Sequence, residues 1–254
     1  MKTKLKRWFI ELSYNGAAFS GWQRQINAPS VQQTIEEAMS LVFQNRIELL
    51  GCGRTDTGVH AKSYFAHFDT EDSIEPNALV FKLNSILKND IGISRICPVS
   101  DTLHARFDAN SRTYKYFVLF DKNPFELQYS HYIYGAKPDV ELMNQAAEFL
   151  LGERDFSCFE KIGSDNSTSI CNITHAKWEK TESGIVFEIS ANRFLRNMVR
   201  AIVGTLLAVG LKSTTIEDFK NILKNKDRSQ AGASAPAKGL FLWHITYPNI
   251  KSYE

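Results

Sequence analysis

The sequence predicts an α+β protein with a mainly antiparallel sheet and helices packed on it. Segments with the two-residue alternation of strands are mixed with segments of helical spacing, which favours this class over a doubly wound parallel sheet. The second half carries a hairpin, two alternating arms joined through Glu182, Ser183 and Gly184. The 254 residues suffice to bury a core in one large domain or two smaller ones.

The elements follow in order. "RWFIELSYNG" sets Trp8, Ile10, Leu12 and Tyr14 against Phe9, Glu11 and Ser13, a strand ending at an Asn-Gly turn. Ser30 and Gln33 form a capping-box pattern, after which Val31, Ile35, Ala38, Met39, Val42 and Phe43 keep helical spacing. Short strands at Ile47 to Leu50 and Tyr64 to Phe68 flank a glycine-rich loop. A helix over Asn77 to Leu87 leads to a strand at Ile91 to Cys97. In the second half "SRTYKYFVLF" is a strand with Tyr114, Tyr116, Val118 and Phe120 on one face. "PDVELMNQAAEFLLG" is a helix opened by Pro138 and closed by Gly152. The hairpin "THAKWEK"/"GIVFEIS" precedes an apolar helix from Phe194 to Val209, a capped amphipathic helix from Thr214 and a last strand from Leu240 to Tyr247.

Hydrophobic residues at 43% and charged residues at 23% are those of a globular chain, with no low-complexity run. The basic N-terminus has no apolar signal region and no apolar run approaches a membrane span, which implies a cytoplasmic protein. Cys52, Cys97, Cys158 and Cys171 are scattered without a CxxC pair or nearby histidine spacing, so reduced buried thiols are expected, with neither a disulfide framework nor a zinc site. A net charge of +2 does not announce a nucleic-acid binder, so a polyanion must be met by a local patch. The candidates are Arg24, Arg54, Lys62, Arg106, Arg112, Lys115, Arg193, Arg196 and Arg200.

The segment "GCGRTDTGVHAK", Gly51 to Lys62, is a poor core element: its glycines allow sharp turns and close approaches that present Arg54 and Asp56. A dinucleotide loop would need glycine where Asp56 stands, and no GxxxxGK[ST] occurs. Asp56-Thr57-Gly58 matches the tripeptide of aspartic proteases, but that chemistry needs two carboxylates sharing a proton, and there is no second DTG or DSG. An aspartate in such a loop can simply cap a backbone amide. With Arg54 beside it to pair with phosphate, it can also stay ionised as nucleophile or base.

"GCGRTDTGVHA" resembles the GRTDxGVHA signature of the tRNA pseudouridine synthase A family. "SYNGAAFSGWQRQ", "VQQTIEEA", "LHARFDANSRTYKYFV", "RDFSCF", "NRFLRNMVRAIVGTLLAVG" and "APAKGLFLWHITYP" resemble that family's segments in the same order over nearly the whole chain. Cys52 and Thr57 depart from frequent alanines of the signature, and Asn197 stands where many relatives have histidine.

The resemblance implies the pseudouridine synthase fold: two mixed α/β subdomains sharing the sheet, residues 1–102 carrying the aspartate loop and 103–254 following, with the active-site cleft between them. It implies isomerisation of uridine to pseudouridine in the anticodon stem-loop of tRNA, at positions 38, 39 and 40. Asp56 is then the catalytic residue, as nucleophile at C1′ or base at C2′. Arg200 is the cation opposing desolvation of Asp56, Tyr114 stacks on the uracil, and Leu240 completes an apolar wall. Arg54 meets the RNA at the flipped nucleotide, and Arg24, Lys62, Arg106, Arg112, Arg193 and Arg196 are candidates for phosphate contacts. His60 is expected to hydrogen-bond within the loop. A homodimer is implied, and no cofactor: a uracil anion leaves without a metal, redox group or ATP. A synthase acting on another RNA, or a catalytically silent RNA-binding protein of the same fold, are the alternatives.

Overall fold

The computed structural model describes residues 5–164 and 166–248. Ten strands and five α-helices are present among them, and the α+β class holds. The chain divides into two compact units, one running to Asn110 and resuming at Leu242, the other Ser111–Phe241. Thus residues 103–110 and the end of the last strand lie with the first unit. The Asn110 N–H donates to the Thr246 carbonyl at 2.8 Å, and the Tyr247 hydroxyl donates to the Ala105 carbonyl at 2.5 Å.

In the first unit β1 (Lys6–Tyr14) lies between β4 (Ile91–Pro98) and β3 (His60–Thr70), antiparallel to both. The register sets Phe9 opposite His67 and Ile10 opposite Ala66. The short β2 (Leu50–Gly51) adds to β3, and β10 (Leu240–Thr246) neighbours β3. Alternation on β1 is only partial because both faces are covered: Trp8, Ile10, Leu12 and Tyr14 are buried, and so is Phe9, whose ring meets Tyr247 edge-on at 5.3 Å.

Helix α1 (Val31–Phe43) starts where Ser30 Oγ accepts the Gln33 N–H at 3.3 Å, one half of the capping box. The Gln33 side chain instead donates forward to Glu37 at 2.8 Å. Val31, Ile35, Ala38 and Met39 form the buried stripe of α1. Helix α2 (Pro76–Ile86) begins with Pro76 behind a Glu75 cap and packs on β4.

In the second unit β5 (Ser111–Leu119), β9 (Gly184–Ala191), β8 (Ile170–Lys180) and β7 (Gly152–Asp155) form an antiparallel series, with β6 (His131–Tyr132) parallel to β5. The β8–β9 hairpin closes as its sequence predicts, the Thr181 N–H donating to the Gly184 carbonyl at 3.0 Å. Helix α3 (Val140–Ala147) packs on β8 and on α4 (Met198–Gly210), and α5 (Ile216–Asn225) carries a full capping box from Thr215 and Asp218.

Two helices are shorter than the apolar pattern suggests. Helix α3 tightens into a 3₁₀ turn at Glu148–Leu150, and Gly152, at φ +92°, opens β7 rather than closing the helix. Helix α4 starts at Met198 because Asn197 sits in the left-handed region at φ +64°, so Phe194, Leu195 and Arg196 precede it.

No disulfide links Cys52, Cys97, Cys158 or Cys171, and burial pushes the Cys158 thiol up to about 12 and that of Cys171 to about 11. No helix among the described residues is long and apolar enough to cross a membrane.

Candidate active site

The aspartate loop connects β2 to β3 and is held from beneath by two stacked aromatic rings. Trp22 and Tyr64 lie 4.0 Å apart between centroids at 25°, both fully buried. Gly51 crosses directly over them: a Cβ there would stand 2.2 Å from the Tyr64 hydroxyl and 2.5 Å from Trp22 Nε1. Tyr64 donates a short hydrogen bond to the Gly53 carbonyl. Burial raises the Tyr64 pKa well above that of an ordinary phenol, which keeps the donor proton in place. The Cys52 N–H donates to the Phe65 carbonyl at 2.8 Å.

The far side of the loop is fastened to the segment after β1. Tyr14 and Thr55 share a hydrogen bond of 2.9 Å between their hydroxyls. Gly21, at φ +89°, lets the chain pass so close that a Cβ would stand 2.2 Å from the Thr55 carbonyl oxygen. The Gly58 N–H donates to the Phe19 carbonyl at 3.2 Å, and the Val59 N–H turns back to the Asp56 carbonyl at 3.1 Å. His60 is buried and accepts the Gly16 N–H on Nδ1 at 3.1 Å, which ties the end of the loop to the turn after β1.

Gly53, Thr55, Gly58 and His60 are thus tied to the body of the unit. Between them Arg54 and Thr57 are exposed and Asp56 is half-buried. A carboxylate on a backbone fixed on both sides can meet a reacting atom in one geometry, as nucleophilic or general-base work requires. The aromatic buttress was not foreseen. Its signal was the "SYNGAAFSGW" stretch, where Gly16 and Gly21 mark the close approaches and Tyr14 and Trp22 supply the contacts.

In the second unit Arg200 is bonded to the segment at residues 233–240, which ends at Leu240, and Tyr114 lies on β5. Half-buried Tyr114 lies on β5 with its ring edge-on to Phe194 at 5.2 Å. Its neighbour on the strand, buried Tyr116, donates to the Pro236 carbonyl at 2.9 Å. Half-buried Arg200 lies in the first turn of α4 and donates from Nε to the Ala235 carbonyl at 2.7 Å. Asn197 Nδ2 donates to Ser234 Oγ at 2.6 Å, and Gly204 lets the segment lie so close that a Cβ would stand 1.8 Å from the Ala233 carbonyl oxygen. Leu240, 4% exposed, follows the 3₁₀ turn at Ala237–Gly239. The Nε of Arg200 is tied to the segment that follows α5.

Of the basic candidates, Arg24, Lys62 and Arg106 belong to the first unit and Arg112, Arg193 and Arg196 to the second. Exposed Lys62 lies on β3 with Nζ 4.2 Å above the Trp243 ring. Arg24 pairs with Glu36 at 3.1 Å, and exposed Arg106 lies 5.6 Å from the Phe107 ring. Arg112 donates to the Asn192 carbonyl at 2.6 Å, Arg193 is half-buried and Arg196 is exposed. No group of three or more His, Cys, Asp or Glu that could hold a metal ion occurs among the described residues.

Residues 146–248 match a family model described as tRNA pseudouridine synthase. The tRNA pseudouridine synthase A of Bacteroides thetaiotaomicron is 47% identical over 247 residues, covering 96% of this chain and 91% of that protein. That of Parabacteroides distasonis is 48% identical over 247 residues, covering 96% and 97%. That of Porphyromonas gingivalis is 48% identical over 249 residues, covering 96% and 98%. Identity at this level over more than nine-tenths of both chains means that the chain belongs to the tRNA pseudouridine synthase A family.

Proposed function

We propose that the protein isomerises uridine to pseudouridine in the anticodon stem-loop of tRNA, at positions 38, 39 and 40, with Asp56 as the catalytic residue. The observation that carries this reading is the loop itself: hydrogen bonds and glycine contacts fasten the chain on either side of Asp56 and leave that carboxylate half-buried beside exposed Arg54. The reaction breaks the bond from C1′ to uracil N1, turns the detached base and joins C5 to C1′. Asp56 adds to C1′ or removes the C2′ proton; both routes need it ionised.

In this reading Arg200 supplies the positive charge that keeps Asp56 ionised as substrate excludes water. Tyr114 offers its ring to the uracil and Leu240 an apolar surface, and Arg54 holds the RNA at the extruded nucleotide. The fixed guanidinium of Arg200 and the ring of Tyr114, steadied by Phe194, are suited to those tasks. The protein works in the cytoplasm as a homodimer, a second copy adding the surface that an arm of tRNA requires.

Mapping pseudouridine in tRNA from cells with and without the gene tests the reading. Loss of the modification at positions 38, 39 and 40 alone is expected. Retention of all three, or loss confined to another RNA, would contradict it.

A further inference from the structure

Under the segment that carries Arg24 lies a buried polar cluster that the aspartate loop does not use. Gln32 and Glu36 stand one turn apart on α1 and are 9% and 7% exposed. Glu36 Oε1 accepts from the Leu49 N–H at 3.0 Å and from Gln32 Nε2 at 3.1 Å, while Oε2 accepts from Arg24 Nη1 at 3.1 Å. Gln32 Oε1 accepts the Arg24 backbone N–H at 2.9 Å, and its Nε2 donates to the Leu49 carbonyl at 2.9 Å. Two side chains therefore hold Arg24 by its backbone and its guanidinium, and Leu49 by both its N–H and its carbonyl.

A carboxylate in such a place costs desolvation that an apolar pair on the same helix would avoid. What it adds is a fixed direction for one guanidinium. The Arg24 side chain is 49% exposed, and among the described residues its charge is paired through Nη1 alone. Its other N–H groups have no partner among the described residues, and they match a phosphate in geometry.

We propose that Gln32 and Glu36 are positioning residues for RNA binding, holding the Arg24 guanidinium oriented for a phosphate of the tRNA backbone. The proposal rests on the reading that tRNA is the substrate. The pair also fixes Leu49, two residues before Gly51, so deleting the whole cluster would disturb the aspartate loop as well. Glu36→Gln separates the two effects. The amide oxygen can still accept from Leu49 and Gln32, whereas the amide nitrogen meets Arg24 Nη1 donor against donor.

The test measures the Kd of unmodified tRNA transcript as a function of KCl concentration, and kcat, for wild type, Glu36→Gln, Arg24→Met and the double variant. Each single variant should weaken binding about three- to tenfold and reduce the slope of log Kd against log salt by about 1, with the effect falling on Kd rather than kcat. The double variant should bind no more weakly than Arg24→Met, because Glu36 acts through Arg24. A Glu36→Gln penalty that recurs in full beside Arg24→Met, or an unchanged salt slope in Arg24→Met, overturns the proposal. Should Glu36→Gln fail to fold, Arg24→Lys takes its place: it keeps the charge but loses the guanidinium fork that Glu36 orients, and binding as tight as wild type with an unchanged slope overturns the proposal. Wild-type protein that binds tRNA with these salt responses but makes no pseudouridine would refute the proposed activity and leave this assignment standing.

Discussion

Arg200 and Ala235 are bonded to each other twice: Arg200 Nε donates to the Ala235 carbonyl at 2.7 Å, and the Ala235 N–H donates to the Arg200 carbonyl at 2.9 Å. The first bond fixes the guanidinium, and the second fixes the helix turn from which it springs. A cation held this way is already oriented before any substrate arrives, which is where electrostatic catalysis gains most.

Arg200→Met keeps the aliphatic stem and the backbone bond and removes the charge. Thermal melts should show a loss of about 1 kcal/mol for the missing side-chain hydrogen bond. Single-turnover rates on tRNA should fall by roughly 100-fold or more, as when a preorganised electrostatic group is removed. Arg200→Lys should not restore them, since an ammonium cannot reproduce the Nε bond and the planar fork together. A folded Arg200→Met protein with near-normal turnover would refute the role.

Gly21→Ala tests the fastening of the aspartate loop. Its left-handed backbone would cost about 1–2 kcal/mol with any L side chain, and the added Cβ would press on the Thr55 carbonyl, 2.2 Å away. The variant should melt earlier and turn over slowly. Tyr64→Phe, which removes the hydroxyl that bonds Gly53 and meets Cys52, should lose about 1 kcal/mol of stability and a larger share of kcat. Equal kcat in Tyr64→Phe and wild type would mean that the loop needs no such restraint.

His67 predicts a pH dependence of stability. Its ring is buried against Phe9, and burial first, then Arg7 and His104, lower its pKa from 6.5 to about 4; Asp69 opposes this. Between those values the unfolded chain binds a proton that the native ring does not. Stability from this group is therefore complete above pH 6.5 and lost as pH falls toward 4, by at most about 3 kcal/mol and less with solvent screening. Urea titrations across that range should show the decline in wild type and a flatter profile in His67→Asn, whose amide oxygen can replace Nδ1 as acceptor for the Ala105 N–H at 3.2 Å. Parallel profiles for the two proteins would remove His67 from the account.

Local signals in the sequence carried most elements, because caps and periodicity act over a few residues. Ser30 and the Val31, Ile35, Ala38, Met39 stripe marked α1, and Glu182-Ser183-Gly184 marked the hairpin. The start of α4 was hidden, since Phe194 and Leu195 continue the apolar pattern and nothing local announces that Asn197 is left-handed. Long-range contacts were hidden too: the bond from Asn110 to Thr246 joins segments 136 positions apart, which no periodicity encodes. In the candidate site the motif drew attention to Asp56, but not to the Trp22–Tyr64 stack beneath it. Gln32 and Glu36 were visible as part of "VQQTIEEA" without a role, because their partners Arg24 and Leu49 lie on other segments.

The central claim is that Asp56 performs the chemistry while the loop around it provides the geometry, and Asp56→Asn tests it most directly. The substitution keeps size and shape, and the loop's anchors at Gly53, Thr55, Gly58 and His60 do not use the Asp56 side chain. With tRNA carrying 5-³H-uridine, tritium release reports each new bond at C5. The account predicts a folded Asp56→Asn protein that binds tRNA nearly as wild type does and releases no tritium above background. Release at the wild-type rate would contradict it.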